Sequence, residues 1–156
     1  MSGLRLIIGA RVFFALLFIY VTAQSLVPAP DMPDEGAALA RWLAALILGG
    51  AQHADKVTHF LVYALLGFFA GASVPLLPHQ LGKKVGRYSV YLLLALSLYG
   101  LVLEGIQHLG GVRRGDWADA LANILGAIAG VTAFLVAAWV TYRMVASRNT
   151  PWHSSL

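Results

Sequence analysis

The chain has 156 residues, of which 59% are hydrophobic and 12% charged, and its formal net charge is +4. One small soluble core could not bury this much apolar surface, so the composition excludes an ordinary soluble domain and predicts a single membrane domain over 1–156. Cysteines are absent, and the basic residues form short clusters beside apolar runs, which excludes thiolate sites and argues against a nucleic-acid partner.

Four segments are long and apolar enough to cross a bilayer, which takes about 20 mostly apolar residues. The first, 6–27, contains Arg11 close enough to one end for its guanidinium to reach the headgroup region. A signal peptide is the alternative for this segment, although its apolar run is long for one. The other predicted spans are 57–77, 88–108 and 118–142. The sequence therefore predicts an all-α polytopic membrane protein, a four-helix transmembrane bundle.

An additional short helix is predicted between the first two spans. The proline-rich acidic stretch 28–35 is followed by the apolar stretch 37–48, which is too short to cross a bilayer. Arg41 and Trp42, set among Ala and Leu, favour a helix that lies at the membrane interface or enters as a re-entrant hairpin. Two roles remain open for it, shielding the bundle or covering a site.

Lys and Arg determine the predicted orientation, because cytoplasmic loops collect them. When the four spans alternate in direction, three basic segments fall on one side of the membrane: Arg5, the loop 83–87 and the stretch 143–148. This side is predicted to be cytoplasmic, with the middle loop and both termini. All seven acids fall on the opposite side. Acids contribute little to topology, so their one-sided placement indicates a polar site that faces outward.

Polar side chains recur at helical spacing on the predicted outer ends of the spans. Asp55, His59 and Tyr63 are four apart and line one face entering the second span. Glu104 lies about a turn inside the third span, where an ionisable side chain needs a partner. The remaining polar residues end the third span or begin the fourth: Gln107, His108, Arg113, Arg114, Asp116, Asp119 and Asn123.

This set of residues resembles the VanZ-like family, named for a protein linked to teicoplanin resistance. The resemblance covers about half the chain at motif level, in three blocks at the ends of successive spans. The loop before Arg113 departs from the family, which often has an aromatic residue and then Pro-Gly there. The blocks are Asp55-Lys56-x-x-His59-Phe60-x-x-Tyr63 with Leu66-Gly67, Glu104-x-x-Gln107, and Arg113-x-x-Asp116-x-x-Asp119-x-x-x-Asn123-x-x-Gly126-x-x-x-Gly130.

The resemblance implies a multi-pass protein of the bacterial cytoplasmic membrane with a role in the cell envelope. It also implies glycopeptide tolerance in some members, without an agreed chemical reaction. We therefore expect the outward-facing site to bind a polar lipid headgroup or a lipid-linked cell-wall precursor. Lys56, Arg113 and Arg114 would hold phosphate or carboxylate oxygens. The expected ligand-binding residues are Asp55, Lys56, His59, Tyr63, Glu104, Gln107, Arg113, Asp116, Asp119 and Asn123.

A membrane-embedded hydrolase or transferase is the first alternative. His59 and Glu104 could act as general base and acid, with Asp119 as a further catalytic candidate. Arg113 would stabilise developing negative charge on a phosphoryl or acyl group. A metal-dependent version would recruit His59, Glu104, His108 and Asp119, but no recognised metal motif is present and no cofactor is expected.

An envelope assembly scaffold is the second alternative. Gly126 and Gly130 continue a ridge of small residues, and Gly67 and Gly71 form another, so a homo-oligomer or an envelope protein partner could pack there. The polar residues also have a purely structural interpretation. Glu104, Arg113, Asp119 and Asn123 could form a hydrogen-bonded ion network that ties three helices together.

Overall fold

The computed structural model describes residues 2–27, 37–74, 83–111 and 116–148. All regular structure within these ranges is helical, which confirms the predicted all-α class. A short 3₁₀ turn, Ala51–His53, leads into the third helix. The helices are α1 (Ser2–Ser25), α2 (Ala37–Leu48), α3 (Ala54–Ala72), α4 (Lys83–Leu109) and α5 (Trp117–Arg148).

Three of the described helices are long and apolar enough to cross a membrane, judged by length and composition. They coincide with the predicted spans 6–27, 88–108 and 118–142, although the helix ends differ. Such helices fit a multi-pass membrane protein. The candidates are Leu4–Ser25 in α1, Val85–Leu109 in α4 and Trp117–Ser147 in α5.

The predicted span 57–77 corresponds to α3, which is not among these three candidates. The helix ends at Ala72, and its first two turns carry Asp55, Lys56 and His59. Its apolar part, 60–72, covers only about 20 Å at 1.5 Å per residue. The hydrocarbon core of a bilayer is about 30 Å thick, so α3 is short for a span on its own.

The four longer helices alternate in direction. At one end of the bundle, Gln107 near the end of α4 donates from Nε2 to the carbonyl oxygen of Ser25 at the end of α1, over 3.0 Å. At the other end, the Arg11 guanidinium of α1 donates to the carbonyl oxygen of Ser73 just after α3, over 3.1 Å. Lys56 at the start of α3 contacts Asp119 at the start of α5, so the end of α5 lies at the same end of the bundle as the start of α1.

Glycines set the close approach of α3 and α5, which run in the same direction. A Cβ at Gly126 would collide with the carbonyl oxygen of Phe60, and one at Gly130 with the carbonyl oxygen of Ala64. A Cβ at Gly67 would lie 2.7 Å from the carbonyl oxygen of Ala127. Only glycine fits where two helix backbones come this close. The contact fixes the register in which α3 and α5 present their first turns to each other.

The core is formed by apolar side chains that point between the helices, while the outer faces remain apolar and exposed. Leu66 is fully buried and Tyr63 is 2% exposed. Outward-facing Leu94 and Leu98 of α4 are more than half exposed, as expected of side chains that contact lipid. The buried core members are Val21, Tyr63, Leu66, Leu96, Leu103 and Ala127.

The short helix α2 packs beside the start of α3. Its residues Ala40 and Ala44 are buried against Val57. Its opposite face carries Trp42 and Leu46, which are 62% and 67% exposed. An amphipathic arrangement of this kind suits a helix at a membrane interface. It places α2 next to the first turn of α3.

Candidate functional site

The polar groups of α3, α4 and α5 meet at the end of the bundle opposite the start of α1. Three helix ends meet there: the start of α3, the end of α4 and the start of α5. They meet because consecutive longer helices are antiparallel and α5 packs closely on α3. Each element contributes polar residues at helical spacing. We call this group the polar crevice, and its members are Asp55, Lys56, His59, Glu104, Asp116, Asp119 and Asn123.

Lys56 is the charged centre of the polar crevice. Its Nζ lies 2.8 Å from Asp55 Oδ2, 2.6 Å from Asp116 Oδ2 and 2.7 Å from Asp119 Oδ1. Partial burial disfavours the charged ammonium, but the hydrogen bonds to Asp116, Asp119 and Asp55 outweigh it, and the pKa of Lys56 is raised above its usual range. Lys56 is therefore a fixed cation that three carboxylates already contact.

Asp116 joins the start of α5 to Lys56. Its Oδ1 accepts the backbone N–H of Ala118 over 2.9 Å, so it also caps the first turn of α5. The hydrogen bond from Lys56 and that from Ala118 together lower the pKa of Asp116. Burial raises the pKa of Asp55, but the contact with Lys56 outweighs it and the net shift is downward. Both carboxyls are held ionised.

His59 is oriented by Asn123. The His59 Nδ1 and the Asn123 Oδ1 are 3.0 Å apart, and Asn123 is 2% exposed. An amide oxygen can only accept, so this assignment puts a hydrogen on Nδ1 and makes Nε2 the nitrogen that carries the lone pair in a neutral ring. Nε2 lies 3.8 Å from Asp119 Oδ2. Asp119 thus offers one carboxylate oxygen to Lys56 and the other to His59.

Glu104 completes a group of three potential ligands. One ligand atom each from His59, Glu104 and Asp119 lies within 4.8 Å of the other two. The three residues come from α3, α4 and α5, and all are partly buried. The sequence predicted that Glu104 would need a partner, and the structure places it beside His59 and Asp119.

Tyr63 and Gln107 lie next to the polar crevice with different roles. Gln107 is 4% exposed and hydrogen-bonds to Ser25, so its side chain ties α4 to α1. The Tyr63 hydroxyl is buried and has no hydrogen-bond partner among the residues that the structure describes. It lies beside Gly100 and Asn123, since a Cβ at Gly100 would be 3.1 Å from the hydroxyl oxygen and 3.2 Å from Asn123 Nδ2.

Other predicted site residues are placed away from the polar crevice or lie outside the described ranges. His108 is exposed at the end of α4 and does not join the three potential ligands. Arg113 and Arg114, predicted as phosphate-binding cations, lie outside the described residues. Gly100 was missed by the sequence reasoning. Its position, four residues before Glu104, could have marked it as the small residue that makes room for Tyr63.

The chain was compared with protein-family models, with curated proteins and with solved structures. No match was found. The resemblance to the VanZ-like family therefore stays a prediction, carried by the spacing of residues in the three motif blocks. The geometry of the polar crevice is independent of it.

An apolar cleft lies at the other end of the bundle, away from these charges. It has a volume of about 260 Å³ and is lined by residues from the end of α3, the start of α4 and the middle of α5. Tyr88, Tyr91 and Phe134 form part of its wall. Convergent charged groups, not cavity size, distinguish a site of polar recognition, so we assign the candidate site to the polar crevice.

Charge determines what the described part of the polar crevice can bind. Three carboxylates, those of Asp55, Asp116 and Asp119, contact the ammonium of Lys56, and the carboxyl group of Glu104 lies beside His59 and Asp119. Such a group attracts cations and hydrogen-bond donors such as hydroxyl and amine groups. His59 adds an imidazole, a group that in its neutral form can accept a proton or bind a metal ion.

Proposed function

We propose that the protein is a VanZ-like cell-envelope membrane protein that binds the polar headgroup of a membrane lipid, or of a lipid-linked cell-wall precursor, in the polar crevice. The observation that carries this proposal is the convergence of polar side chains from three helices at one end of an otherwise apolar bundle. A lipid headgroup would enter the polar crevice at the end of the bundle while its hydrocarbon chains remain beside the apolar helix faces.

In the proposed topology, α3 crosses the membrane together with α1, α4 and α5. Packing supports this arrangement, because α3 is buried against α5 along its length and its polar first turns pair with residues of α5 instead of facing lipid. The opposite end of the bundle carries Arg5, Arg87 and Arg143, and the positive-inside bias then places it in the cytoplasm. Both termini would be cytoplasmic and the polar crevice would face outward from a bacterial cytoplasmic membrane.

The chemistry of recognition follows from the ion pairs. Because Lys56 already contacts three carboxylates, the described residues are better suited to accept hydrogen bonds from a headgroup than to bind its phosphate. Carboxylate oxygens of Asp116, Asp119 and Glu104 would accept from hydroxyl, amine or amide groups of a sugar or peptide. Arg113 and Arg114 would supply the bidentate cations for a phosphate or carboxylate.

Helix α2 would form a lateral wall beside the bound headgroup. It packs on the first turn of α3 through Ala44 and Val57, which is the turn that also carries Lys56. Its exposed apolar face, with Trp42, would rest in the membrane interface. Of the two roles left open by the sequence, this position favours a cover at the edge of the site.

Lipid identification tests the proposal. The full chain is purified in native lipid nanodiscs, and the bound lipids are identified by mass spectrometry for the unmodified protein, for Asp119→Asn and for His108→Gln. We expect a defined lipid class, enriched over the bulk membrane, on the unmodified protein and on His108→Gln. His108 is the matched control because it is exposed and outside the polar crevice. Asp119→Asn should lose the enrichment.

Two outcomes would count against lipid binding. One is a lipid profile identical to the bulk membrane for the unmodified protein. The other is unchanged enrichment in a correctly folded Asp119→Asn. Folding is checked by circular dichroism and by elution as a single peak in gel filtration.

A hydrolase or transferase is the second candidate function, favoured by the geometry of His59. Its Nδ1 hydrogen bond to Asn123 makes Nε2 the nitrogen with which a neutral ring would accept a proton, and Glu104 lies close enough to act as the complementary acid. Turnover of labelled lipid-linked precursors by the unmodified protein, lost in His59→Gln, would favour this function. Absence of turnover across a broad lipid panel would leave binding as the better account.

A scaffold function is less well supported by the packing. Gly126 and Gly130, which a scaffold would offer to a partner, are used inside the chain against Phe60 and Ala64. A partner protein would have to pack elsewhere, for example on the exposed faces of α1 or α4.

A further inference from the structure

We infer that His59, Glu104 and Asp119 form a binding site for a divalent transition-metal ion, Zn²⁺ or Mn²⁺. The inference goes beyond the proposed lipid binding and does not depend on it. A metal ion could occupy the site with or without a bound headgroup, and the two claims are tested by different measurements.

Geometry is the first argument for a metal site. The three ligand atoms lie within 4.8 Å of one another, and His59 Nε2 is 3.8 Å from Asp119 Oδ2. Bonds of about 2.0–2.2 Å to Zn²⁺ place neighbouring ligand atoms roughly 3–4 Å apart. The group must therefore contract by about 1 Å at its widest separation, which small side-chain rotations can provide.

Supporting polar contacts of the ligands are the second argument. Ligands in metal sites are usually oriented by a further partner, which fixes the histidine tautomer and the carboxylate position. His59 has such a partner in Asn123, at 3.0 Å from Nδ1, which leaves Nε2 as the binding nitrogen. Asp119 is held by an ion pair with Lys56, whose Nζ lies 2.7 Å from Oδ1, and its Oδ2 lies on the side of His59.

The unpartnered Tyr63 hydroxyl is the third and independent argument. Tyr63 is 2% exposed, and it lies one turn after His59 on the same face of α3. A buried hydroxyl without a partner is costly. Three protein ligands leave at least one coordination position open, and a water bound there could accept the hydrogen bond that Tyr63 lacks among the described residues.

Charge and ligand type determine the class of ion. The polar crevice holds four acidic side chains, three of them on Lys56 and the fourth, Glu104, beside His59 and Asp119, so the local field favours a cation. One imidazole nitrogen with two carboxylates suits Zn²⁺ or Mn²⁺, whereas Mg²⁺ and Ca²⁺ prefer ligand sets made only of oxygen. The absence of cysteine from the chain removes the softer ligands that select Cu⁺.

Metal analysis of the full chain tests the inference. The purified protein is stripped with EDTA, dialysed against ZnCl₂ or MnCl₂ and then against metal-free buffer, and its metal content is measured by mass spectrometry. We expect about one ion per chain, lost in Glu104→Gln and in Asp119→Asn. His108→Gln is the control and should retain the ion, because His108 lies outside the group.

Asn123 provides a second test that does not remove a ligand. Asn123→Leu should weaken metal affinity by about 10–100-fold, because it removes the partner that orients His59. Asn123→Asp keeps an acceptor oxygen for Nδ1 and should bind the metal within a few-fold of the unmodified protein. Equal affinities for Asn123→Leu and the unmodified protein would contradict the assigned role.

A measurement on the unmodified protein covers the case in which the ligand variants do not fold. Titration with CoCl₂ should produce visible absorption bands of protein-bound Co²⁺, removed by one equivalent of ZnCl₂. Fewer than about 0.1 ions per chain after reloading, or no Co²⁺ bands, would overturn the metal site. Lipid enrichment that survives removal of metal by EDTA would support the proposed lipid binding without the metal site. A bound ion without lipid enrichment would support the metal site without the proposed lipid binding.

Discussion

Replacing Gly130 with alanine tests the packing that brings α3 and α5 together. The new Cβ would overlap the backbone carbonyl oxygen of Ala64, which cannot move away by changing rotamer. A carbon and a carbonyl oxygen need a separation of about 3.3 Å, so the two helices must move apart by roughly 1 Å or more. Overpacking of this kind typically costs about 1–3 kcal/mol. We expect Gly130→Ala to lower the free energy of unfolding by about 2 kcal/mol.

Gly105 in α4 is the matched control. A Cβ at Gly105 would meet nothing within 4 Å, so Gly105→Ala adds the same methyl group to a helix without a clash. Helix propensity predicts a change between zero and a gain of about 1 kcal/mol. Unfolding is followed by tryptophan fluorescence and circular dichroism as SDS is titrated into dodecylmaltoside micelles. Equal unfolding free energies for Gly130→Ala and Gly105→Ala would refute the proposed α3–α5 contact.

The ion pairs of Lys56 give two further predictions. Lys56→Met should lower the free energy of unfolding in the same SDS titration by about 2 kcal/mol. This is less than for a fully buried pair, because the Lys56 side chain keeps 21% exposure. A change below about 0.5 kcal/mol would contradict the role of the pairs. The lowered pKa values of Asp55 and Asp116 mean that their pairing stabilises the fold above about pH 4 and that this stabilisation is lost as pH falls through the lowered pKa values. Thermal unfolding between pH 6 and pH 3 should therefore show a larger loss for the unmodified protein than for Lys56→Met, and parallel profiles would contradict the pairing.

The sequence predicted which polar residues share a helix face, because that depends only on helix periodicity. His59 and Asn123 each lie four residues from another member of the predicted site, and the structure brings both into the polar crevice. Helix ends were harder to predict. The predicted second span, 57–77, ran past Ala72, where α3 ends. Pro75 follows in the sequence, and residues before a proline tend to avoid the helical conformation.

The pairing of Lys56 could not be predicted from spacing. Spacing identifies neighbours on one helix, but the contacts of Lys56 with Asp116 and Asp119 depend on the distance and register between α3 and α5. The glycine contacts set that register, and only the folded structure shows which carbonyl oxygens they meet. The sequence predicted that Lys56 would hold phosphate or carboxylate oxygens of a ligand, whereas in the structure three carboxylates of the chain contact its ammonium.

The orientation of α4 about its own axis also could not be predicted from the sequence. Glu104 and His108 are four residues apart, which suggested that both could reach one ligand. In the structure, Glu104 and Gln107 face the neighbouring helices, and His108 is exposed. The angle at which α4 packs on α1, fixed in part by the hydrogen bond from Gln107 to Ser25, determines which side chain points inward.

A crystal structure of the full chain, grown from a lipidic mesophase made with lipids of the bacterial cytoplasmic membrane, tests the central claim most directly. The account predicts headgroup density in the polar crevice, within hydrogen-bonding distance of Asp116, Asp119 or Glu104, with acyl chains along the apolar helix faces. A well-ordered polar crevice filled only by water, with lipid density confined to the outer faces of α1 and α4, would contradict it.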